Sequence, residues 1–250
     1  MIYAIINQKG GVGKSTTAHA VAAGLSLKGY RVLAVDMDAQ MNLSYTCRAD
    51  TEGATVLSML LGEATAKDVI QHTEDGDIIP ASKALAGADA FISNTGKEYK
   101  LREALEPVKK SYDYIILDTP PALGILTINA LTACDSIIIP AQADIYSIQG
   151  IAQLVETMRP VQKYCNPALR IEGILLTRYS NRTVLSREVA EMIEQQAAVL
   201  GTKVFHTTIR EAVAVKEAQI TRNSLYRYAP KAKVTEDYRA FVDELTGKRR

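Results

Sequence analysis

Apolar positions along the chain gather into short continuous runs separated by longer stretches with helical spacing. Runs at residues 2–7, 31–35, 114–117, 136–140 and 171–176 are apolar almost throughout rather than alternating, and weaker strand signals fall at 77–80 and 203–205. Continuous runs of that length predict strands buried on both faces, as in a parallel sheet. Between them the spacing predicts helices over 14–28, 123–134, 145–164 and 184–200, shorter ones over 55–61, 67–71 and 83–93, and a last helix over 234–245. Gly29 ends the first of these. Strands alternating with helices define an α/β class: one domain over residues 1–250, a twisted, mostly parallel sheet flanked by helices on both faces. In such sheets ligands collect at the carboxyl ends of the strands.

The most informative residues follow the first strand. Positions 8–16 read Gln8-Lys9-Gly10-Gly11-Val12-Gly13-Lys14-Ser15-Thr16, between a strand and a helix. Glycines let the backbone turn tightly and aim successive N–H groups at phosphate oxygens. The helix starting near Lys14 adds the positive end of its dipole. Lys14 supplies a point charge for the β- and γ-phosphates, and the Ser15 hydroxyl is a Mg2+ ligand by type. Gln8 stands where the general G-x-x-x-x-G-K-[ST] pattern has its first glycine, and Lys9 adds a second lysine. This is the deviant form of the P-loop, K-G-G-x-G-K-S, and it makes the α/β sheet a P-loop NTPase fold. Two other strands end in acid. Residues 31–38 (RVLAVDMD) deliver Asp36 and Asp38, and residues 112–121 (YDYIILDTPP) deliver Asp118. Near bound phosphates one such carboxylate can hold Mg2+ and another can orient the attacking water.

Composition narrows the picture. At 47% apolar and 23% charged residues the chain is an ordinary globular protein. The net charge of +1 is unevenly spread: residues 170–250 carry 15 Lys/Arg against 10 Asp/Glu, and the rest carries 14 against 18. The C-terminal third is the basic part. Cys47, Cys134 and Cys165 match no metal or redox spacing, which fits a reducing cytoplasm. No uninterrupted apolar run has membrane-spanning length. His19, His72 and His206 share no ligand spacing.

With the loop and both acidic strands in place, the chain resembles the ParA/Soj family of partition ATPases within the ParA/MinD superfamily. The likeness extends through LAVDMDAQMNLS (33–44), YDYIILDTPPALGILTINALTACDSIIIPAQADIYSIQGIAQL (112–154) and IEGILLTRYSNRTVLSREV (171–189). It implies an ATP- and Mg2+-dependent ATPase that forms a sandwich homodimer, with Lys9 of each subunit reaching the nucleotide of the other. Residues 9–16 would then cradle the phosphates, Ser15 and Asp118 would hold the metal with Asp36 in support, and Asp38 would position the hydrolytic water. Adenine is expected near Thr177, Arg178 and Arg210. The resemblance further implies non-specific binding of double-stranded DNA, a ParB-type centromere-binding partner, and a cytoplasmic, nucleoid-associated protein that segregates plasmid, chromosome or mobile-element DNA. Arg187, Lys216, Arg222 and Arg227 are the candidate DNA contacts. Glu211 departs from the pattern, standing where many relatives have arginine. With the loop starting at residue 8, no N-terminal helix-turn-helix extension is expected.

The alternative within the superfamily is a MinD-like ATPase that positions cargo on a membrane or another matrix. Tyr238, Phe241, Val242 and Leu245 do form a helical stripe, followed by a basic end at 247–250. That spacing is also the buried face of a core helix. An iron–sulfur carrier on this loop would need paired cysteines, and the three here are scattered.

Overall fold

Alternation within each apolar run decides how the sheet is covered. In β1 (Ile2–Ile5) the side chains of Ile2 and Ala4 enter one core cluster while Tyr3 and Ile5 enter the other. The same split recurs in β2 (Val32–Asp36), where Leu33 and Val35 oppose Val32 and Ala34. Both faces are therefore apolar and both need helices. The computed structural model describes residues 1–247, so most of the basic end at 247–250 lies outside the described residues.

Between β1 and β2 runs α1 (Lys14–Leu27), rich in alanine, which lets it lie close on the sheet. After β2 come α2 (Asn42–Thr46), α3 (Val56–Leu61), α4 (Ala66–Val69) and the hairpin of β3 (Gln71–Thr73) with β4 (Gly76–Ile79). A 3-10 turn at Lys83–Gly87 leads into α5 (Ala88–Phe91), and another at Lys97–Tyr99 into α6 (Lys100–Lys109). β5 (Tyr114–Asp118), α7 (Ile125–Ala133), β6 (Ser136–Ala141), α8 (Ile145–Tyr164), β7 (Arg170–Leu176) and α9 (Val184–Val199) follow in strict alternation. The chain closes with α10 (Val213–Ile220), α11 (Leu225–Tyr228) and α12 (Lys233–Leu245).

The sheet order is β3-β4-β2-β5-β1-β6-β7, and every pairing except the β3–β4 hairpin is parallel. The register sets Asp36 beside Asp118, and Asp118 beside Ile5. Three strand ends thus meet at the centre of the sheet, and the loops that leave them converge. Helices α1 and α12 help to cover one face and α6 to α9 the other.

Several expectations are corrected. Residues 203–205 do not form a strand. Val204 makes an isolated parallel bridge to Ile174, after which the His206 and Thr207 N–H groups donate to Glu244 instead of to β7. The expected helix over 67–71 stops at Val69, because Gln71–Thr73 turns back as the hairpin strand. The expected helix over 83–93 is broken in two at Gly87. Helices α2, α6, α10 and α11 were not expected at all. The apolar stripe of α12 is core: Tyr238 is 2% exposed, and Phe241 and Val242 are fully buried.

Phe241 is fully buried and meets Phe205 edge to face at 4.9 Å, so truncation leaves a void in the core. Phe241→Ala is expected to cost about 3–5 kcal/mol, read as a lower urea midpoint at unchanged slope. A loss below about 1 kcal/mol would show that α12 is not part of the cooperative core.

Candidate functional site

Gly11 (φ 75°) and Gly13 (φ 87°) occupy the left-handed region that a side chain disfavours. Gly13 begins α1 without any side-chain cap on the helix's free N–H groups. Those donors face a cleft of about 730 Å³ whose walls include residues 10–16, the arrangement that suits an anion. The loop is tied down from the carboxyl ends of β6 and β7. Asn7 Nδ2 donates to Pro140 O at 2.7 Å and Asn7 Oδ1 accepts from Lys9 N at 2.9 Å. Thr177 Oγ1 donates to Val12 O at 2.8 Å, and Gln142 Nε2 to Gly11 O at 3.3 Å.

The two lysines of the loop have different surroundings. Lys14 is 7% exposed and its ammonium bridges the loop to Lys9 O at 3.1 Å. Burial lowers its pKa, opposed by the charges of Asp118 and Asp38. Lys9 stands at the rim with its side chain about one third exposed, and its ammonium pairs with Asp144, the residue that caps α8 through Ser147 N.

The three acids differ as sharply. Asp36 is fully buried and its carboxylate is occupied: Oδ2 accepts from Ser44 N (2.8 Å) and Ser44 Oγ (2.7 Å), and Oδ1 from Asp38 N (3.1 Å). Burial pushes its pKa up to about 6 against those bonds. Asp36 therefore holds the segment that carries Asp38. Asp38 is 9% exposed at the cleft, with Oδ1 accepting from Gln40 N at 3.0 Å. Asp118 is fully buried, yet neither oxygen has a hydrogen-bond partner. Burial, then Asp36, raises its pKa well above the carboxylate range; Ser15 and Lys14 lie near enough to work the other way. A buried, unpartnered carboxylate beside a serine hydroxyl supplies the oxygen donors a hard cation takes. Among the described residues no three His, Cys, Asp or Glu side chains could hold a metal without other donors.

Thr177, Arg178, Ile209 and Arg210 line one end of the same cleft. Arg178 pairs with Glu211, and Arg210 forms a fork with Asp237 at 2.6 and 2.7 Å. The four basic candidates are dispersed in role. Arg187 lies exposed on α9 with one bond to Asn181 O, and Lys216 lines the cleft. Arg222 donates to Tyr45 O, and Arg227 pairs with Glu74 and Asp75. Pattern reading missed Asn7, Ser44, Gln142, Asp144 and Gln219, whose amide bonds Thr16 Oγ1 at 3.0 Å. Only Asp144 carried a signal, as an acid three residues before a serine at a helix start.

An α/β sheet with a glycine-rich anion loop after β1, and acids ending β5 beside it and β2 next along, defines a P-loop nucleotide-binding protein. Residues 1–171 match the family model described as an AAA domain. The sporulation initiation inhibitor protein Soj of Bacillus subtilis is 42% identical over 98% of this chain and 97% of its own length. The chromosome partitioning protein ParA of Caulobacter vibrioides is 36% identical over 100% and 95%. A crystal structure described as cobyrinic acid a,c-diamide synthase from Mycobacterium smegmatis, with bound ATP analog and magnesium, superposes with a TM-score of 0.85 at 34% identity, covering 98% of this chain and 93% of that one. This chain belongs to the ParA/Soj family of the ParA/MinD ATPase superfamily.

His19, on the cleft-lining face of α1, is 7% exposed and bonds Asp75 at 3.1 Å. Burial disfavours its cation, but Cys47 and Asp75 outweigh that and bring its pKa up to about 10. A histidine raised in the folded state contributes stability that is complete below its unfolded pKa of about 6.5 and is lost as pH rises through about 10. Relative to His19→Gln, the parent's advantage in urea unfolding is expected to be largest near pH 6 and to shrink steadily toward pH 10. A pH-independent difference would show that His19 acts through packing alone.

Proposed function

We propose that this chain hydrolyses ATP with Mg2+ and uses the ATP-bound homodimer to partition DNA. The observation that carries this reading is the division of labour between the two lysines. Lys14 is turned into the cradle, where its charge meets the β- and γ-phosphates, while Lys9 is held outside it at the rim. A lysine in that place serves a phosphate that arrives with a second subunit rather than one in its own cradle. Ser15 and Asp118 would hold Mg2+, whose contribution is to neutralise charge developing on the phosphates. Asp118's unpartnered carboxylate supports that assignment. Asp38, at the cleft surface with its loop fixed by Asp36, is the residue placed to orient a water for in-line attack on the γ-phosphate. The adenine end of the cleft would lie against Thr177, Arg178 and Arg210.

The two lysines separate experimentally. Lys14→Ala is expected to lose ATP binding outright by calorimetry. Lys9→Ala should still bind ATP but fail to dimerise with a slowly hydrolysed analogue in light scattering, and most turnover should go with it. Normal dimerisation of Lys9→Ala would overturn the sandwich arrangement.

DNA binding follows as the next step of the same reading, with a ParB-type partner stimulating hydrolysis. Arg187 is the best-placed phosphate contact among the four basic candidates, because Arg222 and Arg227 already have internal partners. If each subunit of the dimer neutralises two or three phosphates, the log–log salt slope of binding should be roughly −4 to −5, at about −0.9 per phosphate. Arg187→Glu is expected to weaken retention on every duplex sequence alike and to make that slope shallower, with ATP-driven dimerisation intact. Absence of ATP-dependent retention at about 50 mM salt would remove DNA from the proposal. A membrane matrix has less support, because the α12 stripe that would have to face it is buried.

A further inference from the structure

Two helices that flank the nucleotide cleft end in the same unusual way. Helix α2 finishes at Thr46, and Arg48, two residues on, has φ 58°. Helix α10 finishes at Ile220, and Arg222, two residues on, has φ 53°. The residue just past a helix end commonly adopts this left-handed conformation, but it is usually glycine, occasionally asparagine. Arginine is strained there, and strain of this kind persists only where the surroundings hold it.

The two arginines hold each other's helices. Arg48 Nε donates to Arg222 O at 3.0 Å and its Nη2 to Thr221 O at 3.3 Å. Arg222 Nε donates to Tyr45 O at 2.7 Å, and its guanidinium lies over the Tyr45 ring at 4.7 Å. Each side chain thus satisfies carbonyls at the C-terminal end of the opposite helix and places a cation at the negative end of that helix dipole. The contacts are reciprocal and join residues 174 apart in the chain.

Both helices line the cleft: Asn42, Tyr45 and Thr46 from α2, and Lys216, Gln219 and Ile220 from α10. α10 is also tied to the cradle through Gln219 and Thr16. At its other end, α2 is pinned by Asp36 through Ser44. Asp38 sits on the short connection between Asp36 and α2. Its backbone is bonded to Asp36 on one side and to Met41 at the start of α2 on the other, so a shift of α2 reaches Asp38 directly.

We infer that Arg48 and Arg222 are positioning residues for Asp38: their reciprocal clasp fixes α2 against α10 and so sets where Asp38 stands relative to a bound γ-phosphate. This rests on the nucleotide reading above for its catalytic consequence, though not for the mechanical coupling itself. The clasp is built from polar contacts at a partly exposed surface, so its removal need not unfold the protein. Glycine also suits both backbone positions.

The test uses the full chain with Arg48→Gly, Arg222→Gly, the double variant and Arg222→Lys. Amide exchange over residues 39–48 is expected to quicken about tenfold in each single glycine variant, with residues 9–16 unchanged. The double variant should be no faster than either single, because opening one side opens the clasp. In turnover, kcat is expected to fall about five- to tenfold while the KM for ATP stays within twofold, and Arg222→Lys should recover part of the loss by keeping a donor to Tyr45 O. Exchange over 39–48 within twofold of the parent overturns the inference, as does a rise in KM together with a fall in kcat and in melting temperature. Should the parent itself neither bind nor hydrolyse ATP, the proposed function fails, and the exchange result alone decides the clasp.

Discussion

Two carboxylates and an ammonium are buried together where β1, β2 and β5 end, with water excluded from the two acids and nearly so from the lysine. Asp36, Asp118 and Lys14 are 0%, 0% and 7% exposed. Taking charges out of water is expensive unless hydrogen bonds or opposite charges compensate. The chain compensates the three unequally. Asp36 receives three hydrogen bonds, Lys14 receives one carbonyl, and Asp118 receives none. The deficit is local to Asp118, the carboxylate proposed above to meet Mg2+, and an unpartnered buried group of this kind marks a functional-site candidate.

That imbalance is tolerable because the surrounding backbone cannot relax it away. The parallel register places Asp36 and Asp118 side by side on neighbouring strands. The glycine loop is stapled to β6 and β7 through Asn7, Gln142 and Thr177, all reaching across from the carboxyl edge of the sheet. A cradle held this way presents its N–H groups before any anion arrives, so little ordering remains to oppose binding. The same stapling explains why Thr177 is 3% exposed although it borders the cleft: its hydroxyl is engaged with the loop.

Much of this was legible in sequence, for reasons that differ between elements. The strands β1, β2, β5, β6 and β7 are continuous apolar runs because helices cover both faces, and such runs stand out. The loop was legible because few residue types can wrap a phosphate. Helix α6 was not, since Pro107 lies inside it and only Leu101, Leu105 and Val108 turn inward. Helix α10 was not, since it buries only Ala218 and exposes Ile220 to 75%. The surroundings of Asp36 were not legible, because an acid ending a strand reads the same whether it faces a metal or holds a loop. Its partner Ser44 lies at a spacing that follows no simple period.

Charge was the least legible property, because sequence counts cations and structure pairs them. The basic balance of residues 170–250 shrinks once partners are assigned. Arg178 is matched by Glu211, Arg210 by Asp237, and Arg227 by Glu74 and Asp75 from the β3–β4 turn. Arg222 is not neutralised, but its guanidinium is engaged with Tyr45. What stays outward is a smaller set that includes Arg187. Exposed pairs are individually weak and easily exchanged for a better anion, so a polyphosphate could recruit some of them. It would have to break Arg222 away from Tyr45 to use that residue, and α2 would then lose the contact holding its far end. On the clasp inferred above, a polyanion that took up Arg222 would therefore also act on the geometry of Asp38. By linkage, whatever favours the free Arg222 must act on both.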